Sequence, residues 1–464
     1  MRPRRAPVLC LLAALALSAC GSEPVTPTTT PSLSAVTEAA TLPDATTPTP
    51  VPSLGIDAAA LSGISLRVWH AYVGAANDVF TRQVAQFNAT NEWGIVINST
   101  GYGDYPSLFD AVSTALDSGQ PPDLVVALPE QTLTWADSGS VVDLNPYIGD
   151  PAWGLETDAL ADIPSVFLAQ DNVNGQQLGL PAQRSARFLF YNETWAHELG
   201  FDSPPATADE FRQQACAANT AYRKDTDPTN DGYGGWIVDT HWQTAYSWLL
   251  AFDGSAVDGD AYTFRSDPNL AALQFLKKMF DDHCAWLSIE PTPFDSFARR
   301  SALFVTGDLA EVVQETDSMS RLKNSDEWTI IPFPGPQEND IVAYGPSYTI
   351  LKSTLEKQLA AWLLVRWLLS PENQAQWVEA TGLFPLRTSL LDMIGPYQAA
   401  SPQWDAALDD LSLARTVPQL ASWRQVRYVL EDGITSIFQA NTPVDQIPSI
   451  LAEIDRMAEE LSKK

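Results

Sequence analysis

Residues suited to metal or redox chemistry are scarce in this sequence of 464 residues. It contains four histidines and four cysteines, which are too few and too scattered to build a metal site on imidazole or thiolate ligands. The motifs GxSxG, HExxH and the Walker loop are missing. Carboxylate pairs arise by chance among 57 acidic residues, so they give no argument for glycoside hydrolysis. The sequence predicts no cofactor, no metal and no catalytic residue.

Basic residues are also few. The 27 lysines and arginines stand against 57 aspartates and glutamates, so the formal net charge is −30. Nucleic acids and anionic membrane surfaces both require a basic face, and the composition argues against both as partners. No cluster of arginine and lysine suggests a phosphate or carboxylate ligand. Neutral ligands that are rich in hydroxyl groups fit this composition better.

The apolar runs of the sequence are all short, and the longest of them are informative. Residues 6–16 form an apolar run of about 11 residues behind three arginines, which has the proportions of a signal peptide and is too short to span a bilayer. We expect residues 1–19 to be the signal peptide. The next residues, 17–21, read LSACG and resemble a bacterial lipobox. This resemblance implies that Cys20 is lipidated and anchors the protein to the outer side of the cell membrane.

Residues 20–62 are predicted to be a disordered tether behind the lipidated cysteine. Threonine and proline dominate this stretch, and no apolar periodicity is visible. Such a segment cannot bury enough apolar surface to offset the entropy of ordering it. A proline-rich chain is extended and semi-rigid, so the tether would hold a globular body away from the membrane.

The remaining chain alternates between strand and helix patterns. Alternating or short apolar runs predict strands at 64–69, 95–97, 123–127 and 187–191, and helical periodicity predicts helices at 105–116, 207–222 and 268–284. The nearly continuous apolar segment 359–369 is interrupted by Arg366 and predicts a buried helix. Strands that alternate with helices indicate an α/β protein with a mostly parallel sheet.

Several short segments occur in the order known from one family. Residues 118–126 read SGQPPDLVV, residues 370–374 read SPENQ, and residues 382–387 read GLFPLR; further matches lie at 135–144, 178–181, 190–192 and 331–335. Together they resemble the extracellular solute-binding proteins of ABC transporters, family 1, which includes the maltose-binding proteins. The likeness covers residues 64–464.

The resemblance implies a two-lobe periplasmic-binding-protein fold, type II, with a hinge and an interlobe cleft. The first lobe would comprise 63–182 and 351–385, and the second 183–350 and 386–464. The protein would be a monomer that captures a sugar or oligosaccharide in the cleft and delivers it to an ABC transporter permease. A surface-anchored glycan-active enzyme or adhesin is the alternative function. A phosphorylated polyol or a peptide is an alternative ligand.

Five candidate ligand-binding residues follow the predicted strands of the first lobe. His70 and Tyr72 follow the first strand, and His70 could equally serve as a structural loop residue. Tyr102 and Asp104 follow the second strand, where Asp104 could instead cap a helix. Glu130 follows the third strand, and its carboxylate could accept hydrogen bonds from two sugar hydroxyls.

Five further candidates belong to the second lobe and the crossing segments. His241 and Trp242 stand at the start of a helix, and Tyr344 and Tyr348 flank a segment just before a crossing. Residues 418–423, PQLASW, resemble a maltose-binding motif with one residue fewer. This resemblance makes Trp423 the first candidate for stacking on a sugar ring.

Cys216 and Cys284 remain as the only thiols once the signal peptide is removed and Cys20 is lipidated. An even pair in an exported protein is a disulfide candidate. Both fall in predicted helices of the second lobe. Two buried free cysteines are the alternative.

Overall fold

The computed structural model describes residues 54–463. The predicted signal peptide, Cys20 and most of the predicted tether lie outside these residues. The disordered tether was predicted to reach residue 62, and this end point is wrong. Leu54 donates its backbone N–H to Asp150 at 2.6 Å, and Leu61 is fully buried in the core. The apolar side chains of residues 54–61 bury enough surface to keep this segment ordered.

The strands within residues 54–463 are short and mostly buried. They are β1 (Ser65–His70), β2 (Val96–Gly101), β3 (Leu124–Ala127), β4 (Asn172–Val173), β5 (Gln176–Gln177), β6 (Leu180–Pro181), β7 (Arg187–Asn192), β8 (Trp236–Ile237), β9 (Val257–Asp258), β10 (Ala261–Tyr262), β11 (Ala285–Trp286), β12 (Phe304–Asp308), β13 (Trp328–Ile331), β14 (Phe333–Pro334), β15 (Asn339–Val342), β16 (Ser347–Ile350) and β17 (Ala414–Arg415).

Helices cover both faces of the sheets. They are α1 (Gly74–Thr90), α2 (Tyr105–Asp117), α3 (Pro129–Asp137), α4 (Asn145–Ile148), α5 (Thr157–Ala161), α6 (Ser165–Ala169), α7 (Glu193–Glu198), α8 (Ala208–Lys224), α9 (Trp242–Ala251), α10 (Asp267–Asp281), α11 (Phe294–Ala298), α12 (Val312–Leu322), α13 (Leu355–Leu368), α14 (Pro371–Thr381), α15 (Gly395–Ala400), α16 (Pro402–Asp409), α17 (Trp423–Ile437) and α18 (Ile447–Ser462). Five 3₁₀ turns lie at Ala58–Leu61, Leu309–Glu311, Thr388–Met393, Asp410–Leu413 and Val444–Gln446. Among these helices none has the length and apolarity that a bilayer span needs.

Two five-stranded sheets define two α/β lobes. The first sheet has the order β2-β1-β3-β16-β6, and the second has the order β11-β8-β12-β7-β13. β1 runs parallel to β2 and β3, whereas β16 runs antiparallel to β3 and β6. In the second sheet, β8 pairs in parallel with β11 and β12, and β7 is antiparallel to β12 and β13.

The second crossing comes earlier than predicted. The expected lobe boundary at residue 351 assigns β16 to the second lobe, but β16 pairs with β3 of the first sheet from Ser347↔Ala127 to Ile350↔Leu124. The side chains of Tyr348 and Ile350 are buried in the core beside this sheet. The chain therefore returns to the first lobe before Ser347, because pairing with β3 buries these side chains.

A single guanidinium ties the crossing segments together. Arg184 is fully buried and donates to the carbonyls of Gln183 and Pro346 at 2.8 Å each, and to the carboxylate of Asp171 at 2.8 Å. Its own carbonyl accepts a hydrogen bond from the N–H of Phe384 at 3.0 Å. Arg184 thus contacts the first, second and third crossings and has a structural role at the hinge.

A disulfide lies within the second lobe. The Sγ atoms of Cys216 in α8 and Cys284 beyond α10 are 1.95 Å apart, and the two Cα atoms are 4.3 Å apart. The bond links the middle of α8 to a residue just beyond the end of α10, and both cysteines belong to the core of the second lobe. It does not cross between the lobes.

Candidate functional site

The carboxyl ends of the parallel strands supply the polar residues of the site. Open α/β sheets bind ligands in the crevice outside these ends. On the first lobe, α3 begins directly after β3 with a proline at its first position, which places Glu130 in the first helical turn. On the second lobe, Asp239 follows β8, and Asp308 is the last residue of β12. Helix α17 of the second lobe contacts α3 of the first, so the two sets of residues meet.

Glu130 lies at the centre of this meeting point. Its residue is 1 % exposed, and Oε1 accepts hydrogen bonds from the hydroxyl of Tyr344 at 2.8 Å and from Nη1 of Arg427 at 2.5 Å. The other oxygen, Oε2, has no hydrogen-bond partner among residues 54–463. A buried carboxylate oxygen without a donor is costly, so this atom marks a position where a ligand hydroxyl would be stabilising.

Arg427 of α17 occupies the space opposite Glu130. Its guanidinium carbon lies 5.4 Å from the ring centre of Trp242 and 5.9 Å from that of Tyr344, and it also donates to the Tyr344 hydroxyl. Burial opposes its charge, but Tyr344 and Glu130 outweigh burial and raise the pKa of Arg427. Its Nε has no partner within the described chain. The guanidinium is therefore charged, buried and incompletely hydrogen-bonded.

Aromatic rings enclose this ion pair on the side of the second lobe. The rings of Trp242 and Tyr344 meet edge-on with centres 4.9 Å apart, and Trp242 meets Trp423 in the same way at 5.8 Å. A groove of about 840 Å³ opens between α3 and the start of α17, and its walls include Thr134, Ser138, Ser422 and Arg424.

The structure contradicts the prediction that Trp423 offers a face to a ligand. Trp423 is fully buried in the core of the second lobe. Its ring is packed by Trp242, by Tyr246 at 5.6 Å and by Tyr262, whose ring is nearly parallel at 6.4 Å. Helix α17 is amphipathic, and Trp423 lies on its buried face with Val426 and Leu430. The residue thus packs the lobe behind the cleft.

Three candidates of the first lobe are core residues instead of ligand contacts. His70 is 3 % exposed, and its Nδ1 accepts a hydrogen bond from the N–H of Tyr72 at 3.2 Å. Burial lowers the pKa of His70 to about 4, so it is neutral and has a structural role at the end of β1. Tyr72 packs against Trp377 with ring centres 5.1 Å apart, and Tyr348 is 1 % exposed. Both tyrosines contribute to the core beside the first sheet; Tyr348 lies in β16, and Tyr72 lies two residues beyond the end of β1.

The two candidates after β2 lie at the rim of the first lobe. Asp104 is exposed, and its Oδ1 accepts the N–H of Ser107 at 2.6 Å, which caps α2. This hydrogen bond lowers the pKa of Asp104. Tyr102 is partly exposed beside Trp69, with ring centres 5.1 Å apart. Of the two, Tyr102 keeps a side chain available to a ligand. Asp104 serves as a helix cap, which was the alternative role for this residue.

A charged network forms the second lobe's side of the site. Arg187, the first residue of β7, donates from Nη2 to Asp239 at 2.7 Å, from Nε to the hydroxyl of Thr244 at 2.9 Å, and from Nη1 to Asp308 at 3.4 Å. Glu311 accepts the N–H of Asp308 at 2.7 Å. Burial raises the pKa of Asp308 to about 6; Glu311 and Asp239 also raise it, whereas Arg187 lowers it. Half-buried carboxylates therefore crowd around one guanidinium.

His241 and Trp242 connect this network to the Glu130–Arg427 pair. His241 caps α9, and its Nδ1 accepts the N–H of Gln243 at 3.3 Å. Burial, with a smaller effect of Arg187, lowers the pKa of His241 to about 4. The N–H of Trp242 donates to Glu431 of α17 at 3.3 Å. The site is thus continuous from Asp308 to Glu130.

Sequence reasoning named Glu130, Trp242 and Tyr344 as candidates but did not name several residues that the structure brings into the same network, namely Asp239, Asp308, Glu311, Arg427 and Glu431. Position at the carboxyl end of a strand was an available signal for Asp239 and Asp308. No local signal existed for Arg427, which lies in the middle of a helix and is 297 residues from Glu130.

Comparisons with known proteins identify the class. The family profile of the bacterial extracellular solute-binding proteins matches residues 82–407. The sn-glycerol-3-phosphate-binding periplasmic protein UgpB of Yersinia pestis is 22 % identical over 421 residues, which cover 84 % of this chain and 90 % of that protein. Both proteins are thus matched over most of their lengths.

Solved structures share the fold at low sequence identity. The sugar-binding protein MalE of Xanthomonas citri is 21 % identical with a TM-score of 0.73, and the match covers 86 % of this chain and 97 % of that protein. UgpB of Mycobacterium tuberculosis, solved in complex with glycerophosphocholine, is 19 % identical with a TM-score of 0.69. The match covers 86 % of this chain and 98 % of that protein.

This chain belongs to the bacterial extracellular solute-binding protein family. The resemblance drawn from the sequence motifs and the two-lobe, maltose-binding-like fold are both confirmed. As a member of this family, the protein is a solute-binding component of the ABC-transporter type rather than an enzyme, and it acts outside the cytoplasm.

Proposed function

We propose that the protein captures a sugar or oligosaccharide in the cleft between its lobes and delivers it to an ABC transporter permease. The observation that carries this proposal is the pair of unsatisfied atoms at the centre of the site, Glu130 Oε2 and Arg427 Nε. One is an acceptor and the other a donor, and both belong to side chains that are at most 5 % exposed. A hydroxyl group can serve both because it donates and accepts.

The surroundings suit a saccharide. Trp242 and Tyr344 supply apolar ring surface, and Glu130 supplies a charged acceptor, whose hydrogen bonds to hydroxyls are stronger than those between neutral groups. Residues from both lobes take part, so a ligand that contacts both would stabilise the closed arrangement over an open one. We therefore assign ligand contact to Glu130, Trp242, Tyr344 and Arg427, with Tyr102 at the rim.

The lipid anchor at Cys20 and the permease partner complete the proposal. A lipid on Cys20 and a tether would keep the binding protein near the membrane and raise its local concentration at a permease. Replacement of Cys20 by alanine should release the protein from the membrane fraction while ligand affinity is unchanged. Retention of the C20A variant on the membrane would argue against the anchor.

Binding is tested with a thermal-shift screen of mono- and oligosaccharides, followed by calorimetry on the hits. We expect one ligand class to raise the melting temperature and to be recovered chemically unchanged. The E130Q variant should bind that ligand about ten-fold or more weakly because a charged acceptor becomes neutral. Glu92 precedes β2 at the opposite edge of the first sheet, and E92Q serves as the matched control. Turnover of any glycan by the purified protein would refute the proposal in favour of an enzyme.

A further inference from the structure

The cleft wall of the second lobe carries an excess of negative charge. Four carboxyl groups lie there: those of Asp239 and Asp308 pair with Arg187, that of Glu311 accepts the backbone N–H of Asp308, and that of Glu431 accepts the backbone N–H of Trp242. Arg187 is the guanidinium in direct contact with the first two of these, at 2.7 and 3.4 Å. The wall is accessible, because the side chains of Asp239 and Asp308 are 21 % and 32 % exposed.

We propose that this acidic wall selects the ligand by charge: the cleft takes saccharides that lack phosphate and carboxylate groups, and an amino substituent on the sugar strengthens binding. The inference rests on the proposed function, since it concerns the same cleft. It makes Asp239, Asp308, Glu311 and Glu431 specificity-determining residues.

Arg187 and Arg427 are each already paired with carboxylates of the site. All three nitrogens of Arg187 that can donate are engaged, with Nε on Thr244, Nη1 on Asp308 and Nη2 on Asp239. Nη1 of Arg427 is held by Glu130 at 2.5 Å. A phosphate that took Arg187 as its partner would have to displace Asp239 or Asp308, and the displaced carboxylate would then be left in a partly buried, like-charged environment.

The wall is part of a ligand site rather than a solvated acidic surface. Glu431 accepts the N–H of Trp242, and the ring of Trp242 lies under the guanidinium of Arg427 at 5.4 Å. Arg427 and Glu130 are buried and carry the unpartnered Nε and Oε2 atoms. The acidic residues therefore border the position where buried polar atoms lack partners, and a ligand that satisfies those atoms lies within the field of the wall.

The test compares three groups of probes by calorimetry on the purified full-length protein at low ionic strength. The neutral group is glucose, maltose and maltotriose; the amino group is glucosamine and its β-1,4-linked dimer and trimer; the anionic group is glucose 6-phosphate and glycerol 3-phosphate. We expect the tightest amino probe to bind about ten-fold more tightly than the tightest neutral probe, and the anionic probes about ten-fold or more weakly, because charges interact strongly at partly buried sites. Added salt should reduce the advantage of the amino probes.

Charge removal at the wall provides the matched variants. The double variant D308N/E311Q should lose the preference for amino over neutral probes. The D282N variant removes a carboxyl group beyond α10, at the amino end of β11 and away from the cleft, and should keep the preference. Tightest binding by glucose 6-phosphate or glycerol 3-phosphate would overturn the charge selection but leave a solute-binding function standing. Equal preference in the double variant and the wild type would overturn the role of the wall, and no binding by any probe would overturn both this inference and the proposed sugar ligand.

Discussion

Glu130 and Arg427 form an ion pair that joins the two lobes, with Nη1 of the arginine 2.5 Å from Oε1 of the glutamate. The side chains are 1 % and 5 % exposed, so water does not screen the pair. The same carboxylate is the group that we assign to ligand hydroxyls. Arg427 therefore joins the lobes through Oε1, while Oε2 of the same carboxylate is the atom that we assign to a ligand hydroxyl.

The first prediction concerns this pair. In R427M, Glu130 keeps the Tyr344 hydroxyl as a donor but loses its cation. Loss of one partner from a buried ion pair costs about 3–5 kcal/mol when the other charge stays buried. We expect the ligand-free variant to avoid this cost by opening the cleft and hydrating Glu130. Distances between spin labels on the two lobes should lengthen relative to the wild type.

The double variant E130Q/R427M is the control for the first prediction. It removes both charges, so no unpaired charge is left in the closed form. Its interlobe distances should be shorter than those of R427M. An R427M variant whose distances match the wild type would contradict the role of the pair.

The second prediction separates Trp423 from Trp242. Truncation of the fully buried Trp423 to alanine should destabilise the second lobe by about 3–5 kcal/mol, the usual cost of deleting a buried aromatic side chain. Trp242 also contacts Tyr344 and Arg427, so W242A should in addition weaken ligand binding. Urea unfolding and calorimetry on both variants make the comparison. Wild-type stability of W423A with reduced ligand affinity would restore Trp423 as a ligand contact.

The third prediction concerns Glu315 in α12. This residue is fully buried, and neither carboxylate oxygen has a hydrogen-bond partner among residues 54–463. Burial, together with Asp295, raises the pKa of Glu315 to about 9. A raised pKa of an acid means that its contribution to stability is complete below the unfolded-state pKa of about 4.3 and is lost as the pH rises towards 9.

The E315Q variant removes this penalty. We expect it to be more stable than the wild type by about 2–4 kcal/mol at pH 8, with little difference at pH 4.5, because the wild-type side chain is then largely neutral in both states. Chemical denaturation at the two pH values measures the difference. Asp317 lies exposed on the same helix, and D317N should show no comparable pH-dependent gain. A pH-independent effect of E315Q would contradict the assignment.

The fourth prediction concerns the disulfide of Cys216 and Cys284. The bond closes a loop of 68 residues, and loops of this length are stabilised by about 4 kcal/mol in the chain-entropy model. Reduction should therefore lower the free energy of unfolding. Ligand affinity should stay nearly unchanged, because both cysteines belong to the second lobe and the bond does not cross the hinge. Two reactive thiols in the unfolded, unreduced protein would show that the bond is absent.

Local sequence patterns determined most of the secondary structure. The predicted helices 207–222 and 268–284 correspond to α8 and α10, because helical periodicity and an N-cap such as Thr207 act within one or two turns. The predicted buried helix at 359–369 corresponds to α13, since a helix that is apolar on all sides needs burial. Glu130 was proposed as a site residue for a similar reason, as the residues after a buried strand lie at the edge of its sheet.

Tertiary structure decided which of the candidate residues reach the cleft. The pairing of β16 with β3 moved Tyr348 into the core of the first lobe, and the buried face of α17 took Trp423 into the core of the second. The partner of Glu130 is 297 residues away in the chain. The local sequence pattern fixes the face of a helix or strand on which a side chain lies. What covers that face depends on contacts between distant segments of the chain. The fold family and the secondary structure could therefore be predicted from the sequence, whereas the charge balance of the cleft required the assembled lobes.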